Sequence, residues 1–95
     1  MTLPQNSTFV SAKHQISCDV AGEAVILDMQ RGVYFGLNAV GASVWKQLRE
    51  PKTLEELRSA IVAEYNVEVG RCERDIKDLL AQLLKHGLIE ASPIP

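Results

Sequence analysis

The sequence predicts an α+β fold in which three short antiparallel strands precede three helices. Two observations support this prediction. Residues 15–37 contain three apolar segments separated by tight turns, which is typical of an antiparallel meander. From Asn38 onward the apolar residues recur at intervals of three and four, which indicates amphipathic helices. Because a three-stranded sheet is marginally stable alone, we expect the helices to cover one of its faces.

Length and composition limit what such a domain can do. Its 95 residues fit one domain, and its net charge of −2 argues against binding to nucleic acid or anionic lipid through bulk charge. The longest apolar runs, 24–27 and 60–63, are far shorter than the roughly 20 residues of a membrane span. No secretory signal is visible. We therefore expect a small cytoplasmic domain without membrane association, better suited to binding than to catalysis.

The strands are predicted at residues 15–20, 24–29 and 33–37. The first alternates cleanly, with Ile16, Cys18 and Val20 on its apolar face. We expect Cys18 to be buried on that face, since free cysteine commonly behaves as a small hydrophobic residue.

The two ends of the chain lack periodic patterning. Residues 1–14 are rich in Thr, Gln, Asn, Ser and Pro, and we predict a flexible N-terminal arm there. Residues 91–95 are predicted to form a C-terminal tail, which assigns the folded domain to residues 15–90. Strand exchange through the arm leaves open whether the protein is a monomer or a strand-exchanged dimer.

Capping residues mark the ends of the predicted helices. Asn38 is placed to cap the first helix, and Thr53 with Glu56 fits a capping box at the start of the second. The third is predicted over residues 71–86 and ends at Gly87, where a left-handed cap is expected. Six residues at helical spacing are predicted to be core: Trp45, Leu48, Leu57, Ile61, Ile76 and Leu83.

The residues that most often carry catalysis lack suitable partners in this sequence. His14 and His86 are the histidines, and Cys18 and Cys72 are the cysteines. No local neighbour activates either thiol, and no metal-binding, phosphate-loop or dinucleotide motif is present. The sequence therefore predicts no catalytic residue, no metal site and no cofactor.

The third predicted strand is the more informative segment. If the strands lie in the order 1-2-3, residues 33–37 form an edge that contains neither Pro nor Lys, although soluble proteins normally protect such edges. Two interpretations remain open. Either the edge is covered, by a helix or because the first strand lies between the other two, or it accepts a strand from a partner through backbone hydrogen bonds.

A winged-helix DNA-binding protein is the alternative function. Charged residues of both signs alternate along the third predicted helix: Arg71, Glu73, Arg74, Asp75, Lys77, Asp78 and Lys85. A recognition helix exposes a mainly basic or amide-rich surface, and the usual wing follows that helix rather than preceding it. We therefore expect no nucleic-acid partner.

Three segments together resemble a known family: LDxxxGxYFGLNxxGxxxW from Leu27, TLEEL from Thr53 and DIxxLLxxLLxxGLI from Asp75. They are similar to the PqqD-like family, the peptide-recognition elements of pathways that make ribosomally synthesised and post-translationally modified peptides (RiPPs). The resemblance covers roughly residues 16–90. The segment from Asp28 to Tyr34 looks most like the stand-alone leader-binding proteins of lasso-peptide biosynthesis.

The resemblance implies a winged helix-turn-helix-like fold, with a three-stranded antiparallel sheet packed on three helices. It also implies a non-catalytic adaptor that binds the leader of a precursor peptide by strand addition to the third strand and along the third helix. The adaptor then delivers the precursor to another enzyme of the pathway, which in lasso systems is a cysteine-protease-like leader peptidase.

Carried onto this sequence, the resemblance implies a peptide site in two parts. The backbone ladder comes from the third strand: Val33, Tyr34, Phe35, Gly36 and Leu37. The other part is one of two ridges of the third helix. We expect it to be the ridge of Asp75, Leu79, Gln82 and His86, and the alternative is the ridge of Glu73, Lys77, Leu80 and Leu84. Gly36 is expected to allow a close approach, Asp75 to make a polar contact and Leu79 to line an apolar pocket. Two plainer roles stay open, namely Asp75 as a dipole partner in the first helical turn and Leu79 as a core residue.

Overall fold

The structure, a computed structural model, describes residues 3–4, 6–13, 15–20 and 22–94. The elements within these ranges are β1 (Ser7–Ser11), β2 (Gln15–Val20), β3 (Glu23–Asp28), β4 (Val33–Leu37), α1 (Ala39–Gln47), β5 (Lys52–Thr53), α2 (Leu54–Tyr65), α3 (Val69–Lys85) and β6 (Ile89–Pro93). The predicted α+β class is confirmed, and the three predicted strands correspond to β2, β3 and β4. His14 lies outside the described residues.

β3 is the central strand of an antiparallel sheet in the order β2-β3-β4. Ile26 of β3 is opposite Ser17 on one side and Phe35 on the other. The first predicted strand therefore does not lie between the other two, and β2 and β4 are the two edges. Ala24 and Ile26 are buried on the inner face, in the same hydrophobic core as the helices.

The face of β2 that was expected to be buried is exposed. Ile16 is 55% exposed and Cys18 is also exposed, because they lie opposite Leu27 and Val25 on the outer face of the sheet. The prediction of a buried Cys18 is therefore wrong. The buried cysteine is Cys72 of α3, where burial, followed by the nearby Asp75 carboxylate, raises the pKa of the thiol.

A second, unpredicted sheet joins the two ends of the chain in the order β5-β1-β6. β1 pairs with β6 along its whole length, and Phe9 of β1 is 1% exposed within the core. The predicted flexible arm over residues 1–14 is therefore wrong for Ser7–Ser11, and the predicted tail is wrong for its residues in β6. The pairing joins segments from opposite ends of the chain, so no local pattern in either segment reveals it.

The first two helices begin at the predicted capping residues, whereas α3 begins at Val69, two residues before its predicted start, without a side-chain cap. Asn38 Oδ1 accepts a hydrogen bond from the Gly41 N–H at 2.9 Å. In the capping box of α2, the Glu56 N–H donates to Thr53 Oγ1 and the Thr53 N–H donates to Glu56 Oε1. The hydrogen bond from the Thr53 backbone N–H is the main cause that lowers the pKa of the Glu56 carboxyl group. A hydrogen bond with the Thr53 side chain lowers this pKa further. None of the helices in the described part of the chain has the length and apolarity needed to span a membrane.

The core lies between the inner face of the β2-β3-β4 sheet and the helices, and it extends to β1 and β6. All six residues predicted to be core are buried there. The largest side chains with almost no exposure are Phe9, Ile26, Val44, Leu48, Leu57, Ile61, Ile76, Leu80 and Leu83.

Asp28 organises the turn between β3 and β4. Its Oδ1 accepts hydrogen bonds from the N–H groups of Gln30 and Arg31, at 3.0 and 3.2 Å. Gly32 has a φ of 69° and donates its N–H to the Asp28 carbonyl oxygen at 2.9 Å. Since this φ strongly favours glycine, Asp28 and Gly32 together determine where β4 begins.

We expect Phe9→Ala to lower the free energy of unfolding by about 3–5 kcal/mol, because it opens a cavity in the core. The matched control is Thr8→Ala in the same strand, where Thr8 is only half-buried and the loss should stay below about 1 kcal/mol. Urea denaturation followed by circular dichroism measures both. Equal losses for the two variants would contradict the packing of β1 on the core.

We expect Asp28→Ala to lower the free energy of unfolding by about 1–3 kcal/mol, because two backbone donors of the turn lose their acceptor. Asp28→Asn keeps a side-chain oxygen in the same position and should cost less. Urea denaturation of both variants measures the difference. An equal loss in the two variants would assign the effect to the carboxylate charge rather than to the hydrogen bonds.

Candidate functional site

β4 has one free edge. It pairs with β3 from Asp28↔Val33 to Ala24↔Leu37, and no other strand in the described ranges pairs with its second side. Backbone N–H and C=O groups of alternate residues therefore point outward from that side. The side chains nearby are apolar, with Val33 53% and Tyr34 78% exposed.

The other outer strands carry the protection that β4 lacks. β2 contains Asp19, whose carboxylate lies 3.4 Å from Lys46 Nζ. β6 contains Glu90 and Pro93, and a charge or a proline on an edge strand discourages further pairing. Among these edges, β4 is therefore the one that is chemically suited to accept another strand.

The side chains of β4 alternate between the two faces of the sheet. Phe35 is half-buried against the core and Leu37 is buried, whereas Tyr34 is exposed. This agrees with the expectation that only one of Tyr34 and Phe35 packs inward. Gly36 is exposed, and a Cβ added to it would meet no heavy atom within 4 Å. Nothing within the described part of the chain therefore requires glycine at this position.

The C-terminal end of α3 lies beside β4. The rings of His86 and Phe35 have centroids 5.7 Å apart and are tilted by 53°. Arg31 Nη1, from the turn before β4, donates a hydrogen bond to the His86 carbonyl oxygen at 3.2 Å. These two contacts hold the end of the helix against the middle of β4 and the turn that precedes it.

The two ridges of α3 have different surroundings. Successive residues are rotated by about 100°, which places Asp75, Leu79, Gln82 and His86 along one side of the helix. On the opposite ridge, Glu73 Oε2 lies 3.5 Å from Arg58 Nη1 of α2. One ridge therefore faces α2, whereas the other reaches β4 at its His86 end.

The residues of the ridge that reaches β4 differ in burial. Asp75, Gln82 and His86 are exposed, whereas Leu79 is half-buried and packs against the core. The structure thus brings His86 to Phe35, and it places Asp75 about three helical turns before His86 along α3. Because α3 begins at Val69 and has no acidic residue in its first turn, Asp75 is not a first-turn dipole partner.

Arg31 is the residue near this site that sequence reasoning missed. It connects the β3–β4 turn to the end of α3 through the His86 carbonyl oxygen, and its Nε lies 3.8 Å from Asp28 Oδ2. Arg31 and His86 are far apart in the sequence, so no local motif signals their contact.

Two hollows in the described part of the chain are small for a ligand site. One, of about 250 Å³, is shallow and is lined by Lys46, Gln47, Arg49, Glu50 and Lys52. The other, about 60 Å³, lies behind the β3–β4 turn beside Arg31 and His86. Since drug-sized ligands fill about 300–1,000 Å³, the free edge of β4 with the adjoining ridge of α3 is the candidate site.

Comparisons with known proteins identify solved structures that are similar to this chain. No curated protein matches the chain. Among solved structures, TbiB1 in complex with the TbiA(beta) leader peptide is 41% identical, with a TM-score of 0.78 over 85% of this chain and 94% of that chain. A lasso peptide synthetase B1 complexed with the leader peptide is 27% identical, with a TM-score of 0.73 over 90% of this chain and 98% of that chain.

A family model also matches more than half of the chain. The model of coenzyme PQQ synthesis protein D (PqqD) matches residues 23–89, from the start of β3 to the start of β6. The matched span contains β4 and α3, and thus the whole candidate site. The resemblance seen in the sequence is confirmed: the chain belongs to the PqqD family, and its structure is similar to two proteins solved with leader peptides, one of which is a lasso peptide synthetase B1.

Proposed function

We propose that this chain is a non-catalytic adaptor that binds the leader of a ribosomally synthesised precursor peptide and delivers it to a processing enzyme, in this case a lasso-type leader peptidase. The observation that carries the proposal is the unprotected apolar edge of β4 beside α3. The similarity to two proteins solved with leader peptides supports it. No cofactor takes part in this function.

In the proposed complex the leader adds to β4 as a further strand of the β2-β3-β4 sheet, paired with Val33–Leu37. Each backbone hydrogen bond contributes only about 0.5–1.5 kcal/mol net, so a five-residue ladder supplies a few kcal/mol. Micromolar affinity needs about −8 kcal/mol. Side-chain contacts must therefore supply a large part of the binding free energy, and they would also select the leader.

The ridge of α3 is proposed to supply those contacts. Leu79 and Phe35 are half-buried, so each can bury more apolar surface against a leader side chain, at about 25 cal/mol per Å². Gln82 and His86 are exposed polar groups, and Asp75 offers a carboxylate further along the same ridge. A leader placed here would contact β4 through its backbone and α3 through alternate side chains.

The proposed setting follows from the substrate. Ribosomes release precursor peptides in the cytoplasm, so we place the adaptor there. We propose a monomer, because β1 completes the β5-β1-β6 sheet within one chain. In a strand-exchanged dimer the same β1–β6 pairing would join two copies, and the mass of the protein in solution distinguishes the two states.

DNA binding is the alternative function, and the mixed charges of α3 argue against it. Glu73 lies within ion-pair distance of both Lys77 and Arg58, so part of the basic charge is already neutralised. A DNA-binding protein would instead bind duplex with an affinity that falls steeply as salt rises.

The first test of the proposal is hydrogen exchange at the two edges of the sheet. Saturating synthetic leader should slow exchange at alternate amides of β4 (Val33–Leu37), because a new strand satisfies the outward N–H groups. β2 (Gln15–Val20) is the internal control, since it is the opposite edge of the same sheet, and its amides should keep their rates. Protection of β2 instead of β4 would contradict the proposed site, and no leader binding below millimolar would contradict the proposed function.

The second test compares two half-buried leucines of α3. Leu79→Ser should weaken leader binding at least tenfold, about 1.4 kcal/mol, because it removes an apolar contact of the proposed groove. Leu84→Ser is the matched control, as Leu84 has similar burial on the opposite ridge, and it should change leader affinity less than twofold. Fluorescence anisotropy of a labelled leader measures both affinities. Equal weakening by the two substitutions would indicate that Leu79 acts only through the core.

A further inference from the structure

Apart from Glu23 at the end of β3, the outer face of the β2-β3-β4 sheet is apolar, and its residues are largely exposed. The buried residues Ala24 and Ile26 point to the opposite, inner face, where the helices pack. On the outer face Ile16 is 55%, Leu27 41% and Tyr34 78% exposed. An antiparallel sheet that is covered on one side usually presents polar residues on the other, so this outer face departs from the usual arrangement.

The outward-facing residues of these strands include two rows, in which Val25 is half-buried and the other residues are exposed. Ile16, Leu27 and Tyr34 lie directly opposite one another, and Cys18, Val25 and Gly36 form the adjacent row. Neither row contains a charged residue. Gly36 has open space where a side chain would be. At β4, the second row therefore projects less from the sheet than the first row, which ends in the Tyr34 side chain. The outer face, meaning these two rows, is thus an uncharged surface with Tyr34 raised at its β4 side.

A leader bound as proposed would not cover the outer face. A strand added to β4 lies in the plane of the sheet, beside Tyr34 and not above it. Its own side chains alternate between the two sides of the sheet, so half of them would extend the outer face by a fourth strand. The helices cannot cover this face either, since they pack on the inner side.

The size of the outer face argues against a second copy of the chain as its occupant. Two rows across three strands span on the order of 200 Å², whereas a specific interface needs about 800 Å² on each partner. The bound leader adds area at the β4 side, and only a partner that contacts the leader as well can use it. An enzyme that acts on the precursor is such a partner.

We propose that the outer face, continued by the outward side chains of the bound leader, is the docking surface for the enzyme that processes the precursor. That enzyme presents an uncharged, apolar patch to Ile16, Leu27 and Tyr34. The part of this surface that the leader supplies depends on the proposed function. The part that β2, β3 and β4 supply is present in this chain without a leader. The enzyme then binds the leader-loaded adaptor more tightly than the empty one, which couples docking to substrate delivery.

The test uses a double variant, Ile16→Thr with Leu27→Thr, because threonine is polar and has the β-branched shape favoured in strands. Neither residue belongs to the leader site. The binding partner is the purified leader peptidase that processes the same precursor, and calorimetry measures its affinity with and without synthetic leader. We expect the variant to bind leader within twofold of the wild type and the peptidase at least tenfold more weakly. Circular dichroism verifies that the variant is folded.

The matched control is Val67→Thr with Val69→Thr. These two valines are 40% and 49% exposed and lie where the α2–α3 connection meets α3, away from both rows. They remove the same kind of exposed apolar surface, and peptidase affinity should stay within twofold of the wild type. Equal losses in both double variants would overturn the proposal, because general surface hydrophobicity would then explain the binding.

Cys18 provides a second measurement on the unmodified protein. It is exposed on the outer face, whereas Cys72 is buried with a raised thiol pKa, so iodoacetamide should alkylate Cys18 much faster. We expect the peptidase, added with leader, to slow alkylation of Cys18 at least fivefold. Leader alone should leave the rate unchanged, since it binds at the edge.

The outcomes separate the two proposals. The proposed docking surface is wrong if the Ile16/Leu27 variant binds the peptidase as tightly as the wild type and the peptidase does not slow alkylation of Cys18 in the wild type. The proposal is also wrong if the wild type forms a dimer or binds phospholipid vesicles and the same variant abolishes that association. A second copy of the chain or a membrane would then occupy the outer face. If the wild type binds no leader but the peptidase still docks and protects Cys18, the proposed function fails and the docking surface stands.

Discussion

The pairing of β3 with β4 in a single register determines the orientation of every side chain around the candidate site. In this register Ile26 lies opposite Phe35 on the inner face and Leu27 lies opposite Tyr34 on the outer face. A slip by one residue would exchange the two faces along the whole strand. Asp28 and Gly32 hold the register at the turn, through three backbone hydrogen bonds to Asp28. The free edge of β4, the inward position of Phe35 and the outer face all depend on this hairpin.

The rest of the domain supports the hairpin from one side. A domain of 95 residues buries a modest fraction of its surface, and the β5-β1-β6 sheet enlarges the core by adding Phe9 and Ile89. The same sheet holds β6 directly after α3, while Arg31 joins the end of α3 to the β3–β4 turn. The position of α3 beside β4 therefore depends on contacts at both ends of the chain.

The domain offers three kinds of surface within a small area. The edge of β4 offers backbone groups, the ridge of α3 offers side chains, and the outer face offers an apolar plane. In the proposed complex, the peptide at the edge pairs with the backbone of β4 and reaches the ridge, yet it leaves the apolar plane free. In the proposed function, this separation lets the chain hold one partner and present it to another. Near-neutral charge is compatible with such a role, because backbone pairing and apolar contact need no long-range field.

The sequence by itself determined the local features of this protein. Asn38 and the Thr53–Glu56 box begin their helices through hydrogen bonds within one turn, and the residues at helical spacing are buried as their periodicity predicts. The strand at Val33–Leu37 and the candidate ridge of α3 were also recognisable, from composition, spacing and family resemblance. Only the tertiary structure decided that β1 pairs with β6, that Cys18 faces outward and that Arg31 reaches His86. The physical reason is that alternation along a strand defines two faces, but which face is buried depends on helices and strands that are distant in the sequence.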